Sequence, residues 1–254
     1  MGPGASQLTD LKTPRWALAL ILAFCLLRPL EATFAQSAQA RSTPRLTTNA
    51  QTHLTSGAGA RLTLRVYNYA SLDPASLAAS KKVAGAILQN VGIEPIWVDC
   101  PTSWAKSQEY AACDSEMGTT DLVLRILPRR MAEKLRRSYD SLGSAQTCPE
   151  TEPACELTVF YHRVDELAVN GYRADLILGH VIAHEVAHVL LGPRHSDDGI
   201  LRAEWSSSDL QRISLGMHLG FSTDQSHQLR LAVLRRTVPP VDRAWAARAN
   251  LLTH

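Results

Sequence analysis

Apolar and polar residues alternate through LTLRVYNYA, residues 62–70, and this period of two predicts a strand. Asp73 follows as a helix cap with Pro74 in the first turn. The spacing of Leu77, Val83, Ile87 and Leu88 carries that helix to about Asn90, where Gly92 stops it. EPIWVDC (94–100) and TDLVLRIL (120–127) read as two more strands, and the dense apolar run of the latter gives it a central place in a sheet. PRRMAEKLRR (128–137) is a short helix or turn, 138–155 a loop, and CELTVFYHRV (155–164) a further strand. The longest helical pattern runs from about Tyr172 to Leu191, with Leu176, Ile177, Val181, Ile182, Val186, Val189 and Leu190 as its apolar positions. Gly192 and Pro193 end it. Two shorter helices are expected, one starting at Ser207 or Ser208 and one over Thr223 to Arg236. Strands alternating with helices, without an internal repeat, imply an α/β or α+β domain with a twisted, mostly parallel sheet.

The chain before this pattern is different in kind. Lys12 and Arg15 precede an apolar run from Trp16 to Leu27, and small residues follow in ATFAQSAQA. That is the layout of a secretory signal over residues 1–40, with cleavage after Ala35 or, preferably, Ala40. The run is shorter than the roughly 20 apolar residues of a membrane span, which disfavours an uncleaved anchor. Bulky Phe24 disfavours lipid attachment at Cys25. Residues 41–60, rich in Thr, Ser, Ala and Gly, read as a flexible lead-in, 61–240 as the folded domain and 241–254 as a tail. Removal of 1–40 takes the formal net charge from +2 to +1, far from the basic stripe of a nucleic-acid binder. It also leaves an even set of cysteines, Cys100, Cys113, Cys148 and Cys155. In a secreted or periplasmic protein these pair as disulfides. The short loops favour Cys100–Cys113 and Cys148–Cys155 among the three pairings, and the absence of C-x-x-C spacing argues against a cysteine zinc knuckle.

The chemistry lies in HEVAH, residues 184–188. On a helix, residues four apart differ by about 40° around the axis and about 6 Å along it, so His184 and His188 can reach one Zn2+. Glu185, beside that face, can take a proton from a water that the metal has acidified, which assigns it as the catalytic base. The string arises by chance in about one chain in a hundred of this composition, so its context matters. Here it sits in an apolar helix, where two histidines need a reason to be buried, and a further histidine follows the stop at Gly192. Hydrolytic zinc sites keep three protein ligands and one open position. His195 is the preferred third ligand, since the chain can reverse at Gly192 and neutral imidazole suits zinc. The carboxylates of Asp197, Asp198, Glu204 and Asp209 are its rivals. His180 lies four residues before His184 but lacks an accompanying acid, and reads as a packing residue or a support to the ligands.

HEVAHVLLGPRH resembles the H-E-x-x-H-x-x-G-x-x-H signature of the metzincins, the zinc peptidases that include matrixins and astacins. The wider run GHVIAHEVAHVLLGPRHSDDGILRAEW, with LTLRVYNYA and TDLVLRILPR, is similar to secreted metzincin-like proteins of soil bacteria such as acidobacteria, and the likeness spans most of residues 61–236. There are two departures. Three residues separate His188 from Gly192 instead of two, so His195 arrives one position late; and the methionine of the family's turn is missing, with Leu201 in its place as an apolar floor. The resemblance implies a metzincin-like mixed sheet with a long active-site helix and small C-terminal helices. It also implies an edge strand that pairs with an extended peptide, for which residues 156–162 are the candidate.

These readings converge on a secreted, monomeric zinc endopeptidase that acts on peptides or proteins, with no nucleic-acid partner and no stable membrane association once the signal is removed. The competing readings are an exported zinc-binding interaction module without turnover, and a zinc hydrolase of cell-wall amide bonds. Arg194 and Tyr172 lie near the motif in sequence, but spacing does not place them at the site. No cysteine occurs in 41–60 to act as a latency switch.

Overall fold

The computed structural model describes residues 59–103, 110–135 and 141–238. The expected signal segment, nearly all of the lead-in and the tail at 241–254 lie outside the described residues.

Five strands form one mixed sheet in the order β2-β1-β3-β5-β4. β1 (Ala60–Asn68), β2 (Ile93–Cys100), β3 (Asp121–Leu127) and β5 (Cys155–Phe160) run parallel, and β4 (Gly143–Ala145) is antiparallel to β5. β3 takes the central place that its apolar run predicts. In β1 and β3 the residues Leu62, Leu64, Val66, Leu122, Leu124 and Ile126 all point into one core and are at most 1% exposed. The opposite face carries Arg65, which pairs with Asp121 at 2.9 Å and donates to the carbonyls of Cys113, Ser115 and Glu116. Those carbonyls belong to the segment around α2 (Ala111–Asp114), a short helix that the sequence pattern does not announce.

α1 (Pro74–Asn90) crosses from β1 to β2, capped as expected by Asp73, whose carboxylate accepts from the N–H groups of Ala75 and Ser76. It packs on α5 (Ala174–Leu191), the expected long helix. The approach is close at Gly179, where a Cβ would lie 2.5 Å from that of Val83 and 2.8 Å from the carbonyl oxygen of Ser80. α5 is as long and apolar as a membrane span, yet 72% of it is buried inside the protein, so it is the core helix of a globular unit. α3 (Arg129–Lys134), α6 (Ser207–Ser214) and α7 (Thr223–Thr237) fall where the sequence puts helices. Capping boxes on Ser206 with Asp209 and on Ser222 with Gln225 start the last two.

Three expectations need correction. β1 starts at Ala60 and stops at Asn68, so the alternation at 69–70 belongs to a turn. The strand expected over 155–164 ends at Phe160, and Tyr161–Val169 is a helix, α4. Val164 and Leu167, three apart, face inward there, and Arg163 pairs with Glu166 one turn on at 2.9 Å, a helical spacing that outweighs the local alternation. Finally, β5 is not an edge, because β4, inside the segment expected to be loop, covers it. The edge assigned to 156–162 therefore passes to β4. Three residues, Gly-Ser-Ala, are too few and too small to give a strand signal. The strand exists because β5 presents an unpaired ladder.

Both disulfides join the expected partners, with Cα separations of 5.7 Å for Cys100–Cys113 and 5.9 Å for Cys148–Cys155. The second fastens the chain leaving β4 to the start of β5. Cys148 also donates its backbone N–H to Val189 of α5 at 3.3 Å, so the edge strand is tied to both neighbours.

Candidate metal centre

α5 presents His184 and His188 one turn apart, as the spacing requires, with ring centroids 4.5 Å apart. The helix ends at Gly192, whose φ of 97° is open to a residue without Cβ, and the chain folds back over its own last turn. That reversal delivers His195, with centroids 4.8 Å from His188 and 5.5 Å from His184. One ring nitrogen from each of the three lies within 4.8 Å of the others, and among the described residues this is the one such cluster. The extra residue before Gly192 does not keep His195 away. His195 is exposed, so its ring is free to make the small rotation that a shared ion asks for.

The hydrogen bonds of the two helical histidines define their tautomers. His184 Nδ1 lies 2.7 Å from the carbonyl oxygen of Ile200, and His188 Nδ1 lies 2.9 Å from that of Gly192. A carbonyl can only accept, so each Nδ1 carries the proton. Burial pushes both histidines below the ordinary value, His184 to about 4, which keeps the rings neutral. Each Nε2 is then a bare lone pair, and the two face one another at 2.9 Å. Two lone pairs at that distance repel unless a cation sits between them. The arrangement fits a metal ion, and a backbone carbonyl behind each imidazole is how ligating histidines are held.

Glu185 points into the same space and is 5% exposed. Its Oε2 has no hydrogen-bond partner among the described residues, which is unusual for a buried carboxylate oxygen. Burial alone raises its pKa to about 8. The histidines and Glu185 share a cavity of about 510 Å³. It is lined by β4 with Ser141 and Leu142, and by Pro193, His195 and the segment Arg202 to Trp205. Leu167, Val181 and Leu210 are among its apolar lining.

Of the four rival carboxylates, Glu204 alone lines the cavity. Asp209 accepts from Arg202 and from the backbone and hydroxyl of Ser206, which commits it to the start of α6. Asp197 and Asp198 are exposed and line no part of the cavity, while Glu204 is exposed at its wall. His180, 1% exposed, donates to Leu176 and accepts from the N–H of Leu219, the packing role expected of it. Arg194 and Tyr172 do not line the cavity. Leu201 is buried in the core, and it is its neighbour Ile200 whose carbonyl holds His184.

Two contributors are not legible in the sequence. Trp205 donates its indole N–H to that same Ile200 carbonyl at 3.1 Å and packs edge-on against His184. Gly143 lies directly over Glu185. Neither belongs to a motif. The tryptophan adjoining a serine-rich helix start is the one faint signal.

No protein-family profile matches the chain, and no curated protein matches it. Among solved structures, the crystal structure of archaemetzincin from Methanopyrus kandleri is similar at 16% identity and a TM-score of 0.39, over 69% of this chain and 97% of that one. At that overlap the likeness carries no inference, and the geometry of the site stands by itself.

Proposed function

We propose that the chain is an exported zinc-dependent endopeptidase, with His184, His188 and His195 as ligands and Glu185 as the base. The observation that carries this reading is the pair of δ-protonated imidazoles turning bare nitrogens on each other at 2.9 Å, beside an orphaned buried carboxylate in an open cavity. Three imidazoles with one side open is the donor set of a hydrolytic zinc site. Zinc held there would supply a Lewis acid for a peptide carbonyl and a positive charge that draws Glu185 towards ionisation.

The chain's own residues do the rest. Ionised Glu185 accepts a proton from the attacking water and passes it to the leaving amine. β4 offers the substrate a backbone to pair with. Leu142 directs its carbonyl inward to the N–H of Phe160, so by antiparallel alternation Gly143 and Ala145 turn their N–H and C=O groups to the free edge, above the cavity. The apolar lining at Leu167, Val181 and Leu210 suits a hydrophobic side chain. The disulfides agree with an oxidising compartment.

The test is metal analysis of the purified chain followed by cleavage of casein or a peptide library, with and without a chelator. Zinc uptake with chelator-sensitive cleavage is expected. Stable zinc without cleavage of any peptide would turn the reading to a binding module, and cleavage of cell-wall amides alone to a hydrolase of that bond. Glu185→Gln should keep the metal and lose about 10²–10⁴-fold in turnover.

A further inference from the structure

Gly143 sits in the edge strand with Glu185 beneath it. A Cβ built on Gly143 would come within 2.5 Å of Glu185 Oε1 and 2.8 Å of its Cγ and Cδ. Real Cβ atoms do not approach other heavy atoms so closely, so the carboxylate and a side chain at 143 cannot occupy this space together. Other features of the molecule explain themselves by packing. Arg236 holds the carbonyls of Cys148 and Pro149, and Arg202 holds Asp209 at the start of α6. At Gly143, by contrast, the atoms that exclude a side chain are those of the base itself.

We infer that Gly143 is a positioning residue for Glu185. Its missing side chain lets the edge strand lie directly on the carboxylate and so fixes where that carboxylate stands. The inference rests on the hydrolytic reading for its catalytic meaning, while the contact itself is independent of any activity. Three connections hold the strand in place. β4 is paired to β5, the Cys148–Cys155 bond ties its outgoing chain to β5, and the N–H of Cys148 bonds to Val189 of α5. The strand therefore has little room to retreat, and a methyl group at 143 displaces the carboxylate instead. Because the backbone groups of Gly143 face the free edge, the substrate strand and the base meet at this one residue. A shift of the carboxylate would impair proton transfer while leaving the pairing groups in place.

The experiment is a double-mutant cycle on the full chain. Thermal unfolding in chelator is measured for the wild type, Gly143→Ala, Glu185→Ala and the combination. Gly143→Ala is expected to lower the midpoint more in the Glu185 background, where the carboxylate must move aside, than in the Glu185→Ala background, where the space is empty. Equal losses in both backgrounds would overturn the inference. If Gly143→Ala does not fold, a folded double variant supports the contact and an unfolded double variant overturns it. The second arm is kinetic, on a peptide the wild type cleaves. Gly143→Ala should keep its zinc and lose at least 10-fold in kcat with KM within about twofold, whereas a raised KM at unchanged kcat would overturn the positioning role. A wild type that cleaves nothing would sink the proteolytic reading, and the unfolding cycle would still decide the contact.

Discussion

The division of labour within HEVAHVLLGPRH is set by which atom of each side chain is already committed. His184 and His188 each spend Nδ1–H on a carbonyl, to Ile200 and to Gly192, and so present Nε2. Among the described residues His195 has no such tether, and it stands exposed, which makes it the proposed ligand most open to challenge. His195→Ala is expected to weaken zinc binding by at least about 100-fold, because even the outer partners of ligands cost 10–100-fold when lost. Competition with a chromophoric chelator reads this directly. An unchanged affinity would move the third contact to Glu204, the one rival carboxylate at the cavity wall.

At the scale of elements, the site depends on α5 being held at a fixed height against its neighbours. Gly179 allows α1 to come so near that Val83 and the Ser80 carbonyl fill the space of a side chain. Gly179→Ala should therefore cost about 1–3 kcal/mol by overpacking, despite the better helix propensity of alanine. Chemical denaturation of the metal-free protein measures it, and a neutral or stabilising result would refute the tight crossing. On the other side of α5, the seven-residue span closed by Cys148–Cys155 is worth about 2 kcal/mol by loop entropy. It keeps a strand of only three residues on the sheet.

For the whole molecule, buried titratable groups make stability depend on pH in a defined way. His180 and His184 are held down to about 4 by burial, against 6.5 in the unfolded chain. The stability they contribute is complete above pH 6.5 and lost as pH falls towards 4. Glu185 has the opposite sign. It is raised from 4.5 to about 8, so its contribution is complete below pH 4.5 and lost as pH rises towards 8. Between 4.5 and 6.5 these histidines, joined by His188 and His162, which burial lowers in the same direction, oppose one carboxyl and stability climbs; above 6.5 Glu185 carries the balance among the described residues and stability declines. The metal-free protein should thus melt at its highest temperature near pH 6.5, and Glu185→Gln should abolish the decline towards pH 8. A flat profile from 6.5 to 8 in the wild type would contradict the buried, neutral carboxyl.

Much of this arrangement is written in local pattern. The period of α5, the i and i+4 histidines, the Asp73 cap, the central apolar run of β3 and the short cysteine loops each depend on residues near one another in the chain, and neighbouring residues impose their preferences directly. Folding alone decided what depends on distant partners. β4 is a strand because β5 leaves a ladder open, and residues 161–169 are a helix because Val164 and Leu167 find the core. Ile200 orients His184 across 16 residues, and the space a side chain at Gly143 would take is filled by Glu185, 42 positions away. A contact of that kind leaves no periodicity for a sequence to display.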